Sequence, residues 1–187
     1  MVLHNELGLI EAIKKDKWMM EILQAVEQLN LPDCWVCAGF VRSKAWDLLH
    51  NYGERTPLAD IDVIYFNAEE VDEQIEKSLE QQLLSMKPDE PWSVKNQARM
   101  HVINGVAPYI SSKDGIAHFS EIPTAIGIRL NNSKVELCAP YGVEDLLSCV
   151  VKPTPEFKKG MPMHDIYVRR IETKNWDKIW PKLKLKF

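Results

Sequence analysis

The sequence predicts an α+β domain, in which short apolar strands alternate with amphipathic helices. Strand character is found at 34–38, at 60–66, and in two runs at 125–130 and 134–138 that are separated by a polar turn. The segments between these runs carry apolar residues at helical spacing. The 187 residues, 45% of them hydrophobic and 27% charged, are expected to form one domain with a sizeable core.

Residues 5–30 predict helix with a break in the middle. Apolar side chains recur at helical spacing between Leu9 and Leu29. We expect the break near Lys15, because Asp16 is suited to cap a second helical segment. Pro32 ends the region, which therefore predicts amphipathic helix packed on the core.

A strand–helix–strand unit comes next in the sequence. Its first strand is short, apolar and bounded by Pro32 and Gly39, as is typical of buried strands. The acidic residues of its last segment are expected to form a solvated helix face. The predicted elements are a strand at 34–38, a helix at 40–52, a loop at 53–59, a strand at 60–66 and a charged helix at 69–86.

The second half of the chain predicts shorter elements. Asn-Asn-Ser at 131–133 is a hairpin-type turn that joins two strands. Glu144 and Asp145 favour a helix start, because acidic side chains stabilise the first turn. The predicted elements are a strand at 92–95, short helices at 97–103 and 114–120, strands at 125–130 and 134–138, and helices at 140–150, 164–172 and 176–180.

Composition limits the partners and the compartment. The formal charge is -4, and a mildly acidic protein is a poor general binder of nucleic acid, because neutralising phosphates needs clustered cations; a local basic patch stays open, but no extended nucleic acid is expected. No apolar run approaches the ~20 residues of a membrane helix. The charged, amphipathic N-terminus has no signal-peptide core. We therefore expect a cytoplasmic protein with no membrane partner.

The four cysteines predict neither a disulfide framework nor a metal site. Cys34 and Cys37 have C-x-x-C spacing, but residues i and i+3 of a strand face opposite sides. Cys138 and Cys149 do not form a second pair with this spacing. Free, buried thiols are the expected state of all four.

Two aspartates at the start of the second strand are the first candidate site. Asp60 and Asp62 are separated by one residue, so their side chains point to the same face of a strand, ~6.7 Å apart. Magnesium accepts one or two carboxylates together with substrate phosphates, and this spacing suits one such ion or a pair. Two exposed acids at a strand entrance are the alternative, because D-x-D also occurs by chance.

Gly39 and Glu136 extend this candidate site. Gly39 joins a strand to a helix, where backbone N–H groups can meet a phosphate; a helix start without a ligand is the alternative. Glu136 lies between Val135 and Leu137 and points to the opposite face of the strand. It is the candidate third carboxylate of a site for two metal ions, and an outward-facing glutamate is the alternative.

These segments resemble the DNA polymerase β-like nucleotidyltransferase superfamily. The resemblance rests on A-G-F-V-R at 38–42, D-I-D-V-I-Y-F at 60–66 and V-E-L at 135–137. Longer peptides resemble a bacterial family of nucleotidyltransferase-like proteins, from about residue 34 to the C-terminus. They are W-D-x-L-H at 46–50, W-S-V-K-N-Q-A-R-M-H at 92–101, A-P-Y-G-V-E-D-L at 139–146 and K-N-W-D-K-I-W-P at 174–181.

The resemblance implies a mixed β-sheet with flanking helices. Its nucleotidyltransferase core covers about residues 34–150, with helical additions at both ends. The resemblance also implies that Asp60 and Asp62 bind Mg²⁺, with two ions expected. Glu136 is implied to be the third metal ligand or the base for the attacking hydroxyl.

The nucleotide-binding residues are expected in two segments. The superfamily usually has Gly or Ser after the motif glycine, where this chain has Phe40, so Arg42 and Ser43 are expected to contact the phosphates. The 92–101 segment adds cations and amides for phosphates or the acceptor; a charged surface segment is its alternative. The predicted set is Gly39, Phe40, Arg42, Ser43, Lys95, Asn96 and Arg99.

The sequence thus predicts Mg²⁺-dependent transfer of a nucleoside monophosphate from an NTP to a hydroxyl, with release of pyrophosphate. The acceptor is open between a small molecule, a protein side chain and an RNA end, and the nucleobase is open too. The alternative, motivated by Phe40, is a catalytically inactive module on the same fold that senses a nucleotide or binds a partner.

Overall fold

A five-stranded mixed sheet forms the centre of the protein. The computed structural model describes residues 3–187. The strands of this sheet are β1 (Trp35–Cys37), β2 (Ile61–Tyr65), β3 (Trp92–Asn96), β4 (Gly127–Asn131) and β5 (Lys134–Cys138). Their order is β3-β2-β1-β4-β5. All neighbouring pairs are antiparallel except β2 and β3, which are parallel.

Helices flank the sheet and confirm the predicted fold class. They are α1 (Glu6–Lys14), α2 (Lys17–Glu27), α3 (Gly39–Leu49), α4 (Glu73–Met86), α5 (Gln97–Asn104), α6 (Ser112–Ala117), α7 (Glu144–Leu147), α8 (His164–Lys174) and α9 (Trp176–Ile179). Helices α1 to α4 pack on the strands around the main core, which contains Val36. Trp35 belongs to a separate apolar cluster. Since consecutive strand residues face opposite sides, the two clusters cover the two faces of the sheet.

The predicted break in the N-terminal helix is confirmed. Helices α1 and α2 are separate, and the Asp16 carboxylate caps α2 by accepting a hydrogen bond from the Met19 N–H at 3.2 Å. The charged helix α4 begins later than predicted. Its N-cap is Asp72, whose carboxylate accepts a hydrogen bond from the Gln74 N–H at 2.9 Å.

The segment predicted as helix at 140–150 differs most from the structure. It contains only the short helix α7, after which Val150–Val151 form a strand, β6. This strand pairs in parallel with β7 (Lys184–Leu185). Two-residue strands have no periodicity for a sequence pattern to detect. The small sheet connects residues 184–185 to the segment after α7.

A cluster of tryptophans holds α9 against α3. The ring of Trp46 packs edge-on against Trp176 and Trp180, with centroids 5.6 and 5.0 Å away. The Trp180 indole N–H donates a hydrogen bond to the buried Asp47 carboxylate at 2.8 Å. Asp47 also accepts from the N–H and the hydroxyl of Thr56, at 2.9 and 2.6 Å. These contacts place α8 and α9 beside the loop that precedes β2.

Two expectations, on the state of the cysteines and on membrane-spanning helices, can be compared with the structure. The four cysteines are free, and burial raises the pKa of Cys34 to about 12, which disfavours a reactive thiolate. Within residues 3–187, no helix combines the length and the apolar character that crossing a membrane requires.

Candidate active site

The turn between β1 and α3 has an unusual backbone. Ala38 has φ +55° and ψ -116°, a left-handed conformation that costs residues other than glycine roughly 1–3 kcal/mol. Its N–H donates a hydrogen bond to the Ile126 carbonyl at 2.9 Å. Helix α3 begins at Gly39 without a side-chain cap, so its first N–H groups have no partner within the helix. A phosphate is a suitable partner for such donors.

Phe40 points away from this turn and into the core. Its side chain is 2% exposed, and its ring centroid lies 5.5 Å from that of Trp18. The structure therefore does not place the Phe40 side chain at a nucleotide. Its backbone N–H, in the first turn of α3, is the only part suited to a ligand. Because Ala38 and Gly39 form the turn, Phe40 does not narrow the space for a phosphate.

Asp60 and Asp62 flank the first residue of β2. Asp60 is exposed and Asp62 is partly exposed. Burial, followed by repulsion from Asp60, raises the pKa of Asp62 to about 6, whereas Arg170, Arg42 and Lys174 act in the opposite direction. At neutral pH the pair therefore holds two like charges close together. Binding of a divalent cation relieves this repulsion.

A cavity of about 340 Å³ brings these aspartates to the start of α3. We call it the smaller cavity. Five of the predicted site residues line it: Gly39, Arg42, Ser43, Asp60 and Asp62. Two cations of α8 that were not predicted as site residues, Arg170 and Lys174, also line it. The cavity thus combines two carboxylates, an uncapped helix start and three cationic side chains.

Arg42 is a buried cation at the wall of the smaller cavity. Its guanidinium lies 4.2 Å from the ring of Trp176 and donates hydrogen bonds to the hydroxyls of Thr124 and Ser43, at 3.3 and 3.5 Å. Burial lowers the pKa of Arg42 to about 10, so the side chain stays charged at neutral pH. Its Nε has no hydrogen-bond partner among the described residues. The stacked ring and the two hydroxyls fix its position.

The two missed cations share one face of α8. Arg170 and Lys174 are four residues apart, which places them on the same side of a helix. The Arg170 Nε donates a hydrogen bond to Glu121 at 2.5 Å, and Glu121 is fully buried. The four-residue spacing of Arg170 and Lys174 can be read from the sequence. The sequence does not show, however, which part of the fold this charged face of α8 contacts.

Glu136 does not lie with the two aspartates. It pairs with Arg129 across β4 and β5, on the far side of β1 from β2. Three strand spacings of about 4.8 Å put it about 14 Å from the row that contains Asp62. Arg129 donates two hydrogen bonds to it, at 2.7 and 2.6 Å, and lowers the pKa of the Glu136 carboxyl. The predicted orientation within the strand was correct, but the predicted convergence with the aspartates was not.

The predicted residues of the 92–101 segment divide between a cavity and a structural network. Lys95 lines a second cavity, of about 530 Å³. The Asn96 side chain caps α5 and donates to the carbonyls of the 67–70 loop, so its polar atoms are already bonded. Arg99 donates to the buried Glu76 carboxylate at 2.9 and 2.7 Å. Asn96 and Arg99 therefore hold the fold together and line neither cavity.

The residues present fit magnesium bound together with a nucleotide. Within residues 3–187, no group of three or more His, Cys, Asp or Glu is placed to hold a metal ion. Two carboxylates are nevertheless a normal protein contribution for Mg²⁺, which completes its octahedron with waters and substrate phosphates. Asp60 and Asp62 supply those oxygens next to three cations suited to phosphates. The third carboxylate predicted for the site is absent from this cavity.

The position of Glu136 leads to a prediction. We expect Glu136→Gln to leave nucleotide binding and transfer within about twofold of wild type, because a change about 14 Å from the aspartates alters no contact of the smaller cavity. Nucleotide affinity measured by calorimetry and the rate of pyrophosphate release are the readouts. A tenfold or greater loss in this variant, measured at a temperature where the variant is fully folded, would contradict the assignment.

An uncapped helix start, a D-x-D strand and three cationic side chains surround one cavity, which is the arrangement expected of a nucleotidyltransferase site. A family model described as nucleotidyltransferase matches residues 24–185, and the chain belongs to that family. The fold is that of the DNA polymerase β-like superfamily. No curated protein matches the chain.

Solved structures similar to this one include CCA-adding enzymes. An NMR structure described as revealing a CCA-adding enzyme head domain is 36% identical, with a TM-score of 0.86 over 97% of this chain and 96% of its own. The Thermotoga maritima CCA-adding enzyme complexed with tRNA is 14% identical, with a TM-score of 0.59 over 100% of this chain and 43% of its own. A CCA-adding enzyme with CTP is 12% identical, with a TM-score of 0.60 over 100% and 44%. The last two show the fold alone, and this chain spans less than half of each.

Proposed function

We propose that the protein transfers a nucleoside monophosphate from an NTP to a hydroxyl acceptor in a Mg²⁺-dependent reaction that releases pyrophosphate. The observation that carries the proposal is the smaller cavity, where Asp60 and Asp62 face the uncapped start of α3 and the cations of α8. The family of the chain supports nucleotidyl transfer in general terms. The choice of Mg²⁺ as the metal and of an NTP as the donor follows from the carboxylates and the cations of the smaller cavity.

The chain's own groups bind and orient the triphosphate. Helix α3 begins at Gly39, which lines the smaller cavity, so its first N–H groups are available to donate hydrogen bonds to phosphate oxygens. Arg42 is held rigidly by Trp176, so it loses little freedom on binding an anion. Arg170 and Lys174 offset the charge of the leaving pyrophosphate.

Asp60 and Asp62 are the residues that hold Mg²⁺. When bound, the metal neutralises developing charge on the phosphates and favours deprotonation of the attacking hydroxyl. Asp62 is ionised at neutral pH because its pKa, although raised, is about 6. Acidification below that pH protonates Asp62, and we expect metal-dependent nucleotide affinity to fall there.

A nucleotide-sensing module without turnover is the second candidate function. The observation that favours it is the absence, among the described residues, of a third carboxylate beside Asp60 and Asp62. The two candidates share nucleotide binding and differ in chemistry. Release of pyrophosphate from an NTP excludes the sensing module, whereas tight binding without release across a wide acceptor panel favours it.

Calorimetry tests the shared step. Each of the four NTPs is titrated into wild type with Mg²⁺ and, separately, with EDTA. We expect Mg²⁺-dependent binding in wild type and its loss in Asp62→Ala, while Asp177→Ala, an exposed residue of α9 outside the cavity, stays unchanged. Undiminished binding in Asp62→Ala would falsify the metal assignment.

Lys174 provides a prediction on phosphate binding. It is exposed and lines the smaller cavity, so Lys174→Met removes a phosphate contact without disturbing the core. We expect NTP affinity to fall about five- to tenfold, and the loss to shrink at high salt because exposed charges are screened. Lys178→Met is the matched control, since Lys178 is exposed on α9 and lies outside the cavity. Equal effects of both substitutions would assign the loss to overall charge.

A further inference from the structure

A buried glutamate, Glu121, holds the guanidinium of Arg170. Glu121 is fully buried, and its Oε1 accepts hydrogen bonds from the Arg170 Nε at 2.5 Å and from the Ser120 hydroxyl at 2.9 Å. A carboxylate is costly to bury unless a cation is paired with it. Arg170 lines the smaller cavity, whereas Glu121 does not. The pair therefore connects a cation of the candidate site to a negative charge that lies outside it.

The geometry of this pair leaves part of the Arg170 guanidinium free. A second fully buried glutamate, Glu76, accepts from both the Nε and a terminal nitrogen of Arg99, at 2.9 and 2.7 Å. Such a bidentate contact occupies one edge of the guanidinium. Arg170 donates to Glu121 through Nε, and its terminal nitrogens donate no hydrogen bond to the residues that the structure describes. These nitrogens are available to an anion in the smaller cavity.

The charge of Glu121 also acts on Arg42, which lines the same cavity as Arg170. Burial lowers the pKa of Arg42; among the charges around it, Glu121 has the largest effect and raises the pKa, whereas Arg170 lowers it. Two guanidiniums at one cavity repel each other, and the carboxylate offsets that repulsion. The Oε2 of Glu121 is buried and has no hydrogen-bond partner among the described residues, so it is not engaged elsewhere.

The backbone around Glu121 fixes its position. Glu121 forms an antiparallel β-bridge with Pro153, and its carbonyl accepts hydrogen bonds from the N–H groups of Thr124 and Ala125, at 3.0 and 2.9 Å. The Thr124 hydroxyl accepts from Arg42 at 3.3 Å. The segment 121–124 thus contacts both arginines of the smaller cavity. A site that binds a charged ligand needs such support behind the side chains that touch the ligand.

We propose that Glu121 is a positioning residue, which holds Arg170 and Arg42 together as a preformed pair of cations for the triphosphate. This inference rests on the proposed function. Glu121 touches neither the metal nor the phosphates. It fixes the Arg170 Nε, leaves the terminal nitrogens for phosphate oxygens and offsets one of two positive charges before the ligand arrives. Less side-chain freedom is then lost when the triphosphate binds.

Inorganic pyrophosphate with Mg²⁺ is the probe for these cations, and calorimetry measures its affinity. We expect Glu121→Gln to bind pyrophosphate about tenfold more weakly than wild type, because the amide keeps the shape but loses the charge that pairs with Arg170. Glu76→Gln is the matched control, since Glu76 is an equally buried partner of an arginine and lines neither cavity. We expect it to stay within about twofold of wild type at a temperature where it is folded. Equal losses in both variants overturn the proposal.

A double-mutant cycle shows whether Glu121 acts through Arg170. We expect Arg170→Met to weaken pyrophosphate binding about tenfold, and the added Glu121→Gln to weaken it by less than about twofold more, because no repulsion is left to offset. Additive losses overturn the proposal. Thermal unfolding gives a second readout: Arg170→Met leaves a buried carboxylate without its cation, so the double variant should melt at a higher temperature than Arg170→Met. A double variant that melts lower also counts against the pairing.

The Nε–H NMR signal of Arg170 reports the pair without any ligand. It is assigned by its absence from the spectrum of Arg170→Lys, and we expect its proton to exchange with water at least about tenfold more slowly in wild type than in Glu121→Gln. Equal exchange rates overturn the proposal. If wild type binds neither NTP nor pyrophosphate, the proposed function fails and the role of Glu121 fails with it. If wild type binds both and Glu121→Gln binds them equally well, only the role of Glu121 fails.

Discussion

The variant Asp62→Asn is expected to lose at least about a thousandfold in nucleotidyl transfer, or roughly 4 kcal/mol of transition-state stabilisation. Asn keeps the size of the side chain but removes the charge that holds the metal next to the phosphates. The measurement is the initial rate of pyrophosphate release at saturating Mg²⁺ and NTP. A rate within tenfold of wild type would contradict a role for Asp62 in catalysis.

The same substitution is expected to stabilise the metal-free protein at alkaline pH. The pKa of Asp62 is about 6 in the folded protein against 3.8 in the reference state, so ionisation costs the folded state free energy. The cost is absent below about pH 4, develops as the pH rises toward 6, and is complete above it. Since a tenfold change in proton affinity corresponds to about 1.4 kcal/mol, Asp62→Asn gains up to about 3 kcal/mol at pH 8.

Denaturant unfolding at pH 8 and at pH 4, with EDTA present, measures this gain. The stability difference between variant and wild type should be large at pH 8 and vanish at pH 4. Glu136→Gln is a control for which we expect a loss of stability at pH 8 and not a gain. Arg129 lowers the pKa of Glu136, so the ionised form of Glu136 favours the folded state. A gain that does not depend on pH would show that ionisation of Asp62, disfavoured by burial and by repulsion from Asp60, is not its cause.

The second large effect is expected for Trp180→Ala. Trp180 is 2% exposed, packs on Trp46 and donates to Asp47 at 2.8 Å. Removing the indole leaves a cavity and a buried carboxylate with one fewer donor, so we expect a loss of about 3–5 kcal/mol in the free energy of unfolding. Thermal and denaturant unfolding measure the loss.

Trp180→Phe separates packing from hydrogen bonding. It keeps most of the apolar volume and removes only the N–H, so a loss of about 1–2 kcal/mol is expected. Both variants should also weaken NTP binding, since α9 follows directly after the helix that carries Arg170 and Lys174. A Trp180→Ala variant with wild-type stability would mean that the tryptophan cluster does not hold this segment in place.

The sequence predicted the β1–α3–β2 unit well because its signals are local. Gly39 and the spacing of Asp60 and Asp62 are read within one strand–helix–strand unit, and the structure gathers them around one cavity. Arg42 and Ser43 line the same cavity for the same reason, since helical spacing fixes their distance from Gly39.

The predictions that differ from the structure concern residues whose positions depend on strand order or on the packing of distant segments. The alternation that placed Glu136 on one face of β5 was correct, but alternation does not say how many strands separate that face from Asp62. Arg170 and Lys174 were missed because their partners are set by the packing of α8, which depends on contacts between distant parts of the chain, such as those of Trp46 with Trp176 and Trp180. Phe40 was assigned to the site from its position in a motif, whereas the helix start directs its side chain to the core.

The smaller cavity is lined by residues from distant parts of the sequence, which the ribosome synthesises at different times. Its carboxylates lie at Asp60 and Asp62, and its cations and tryptophans lie between Arg170 and Trp180. A growing chain folds from its N-terminus as it leaves the ribosome, so α3 and β2 emerge long before α8. Until α8 and α9 have been synthesised, the Asp47 carboxylate lacks the hydrogen bond from Trp180, and Lys174 is not available to contact a phosphate. A chain whose synthesis has not passed residue 180 therefore lacks the cations and tryptophans of the smaller cavity, and under the proposed function we expect no nucleotidyl transfer from it.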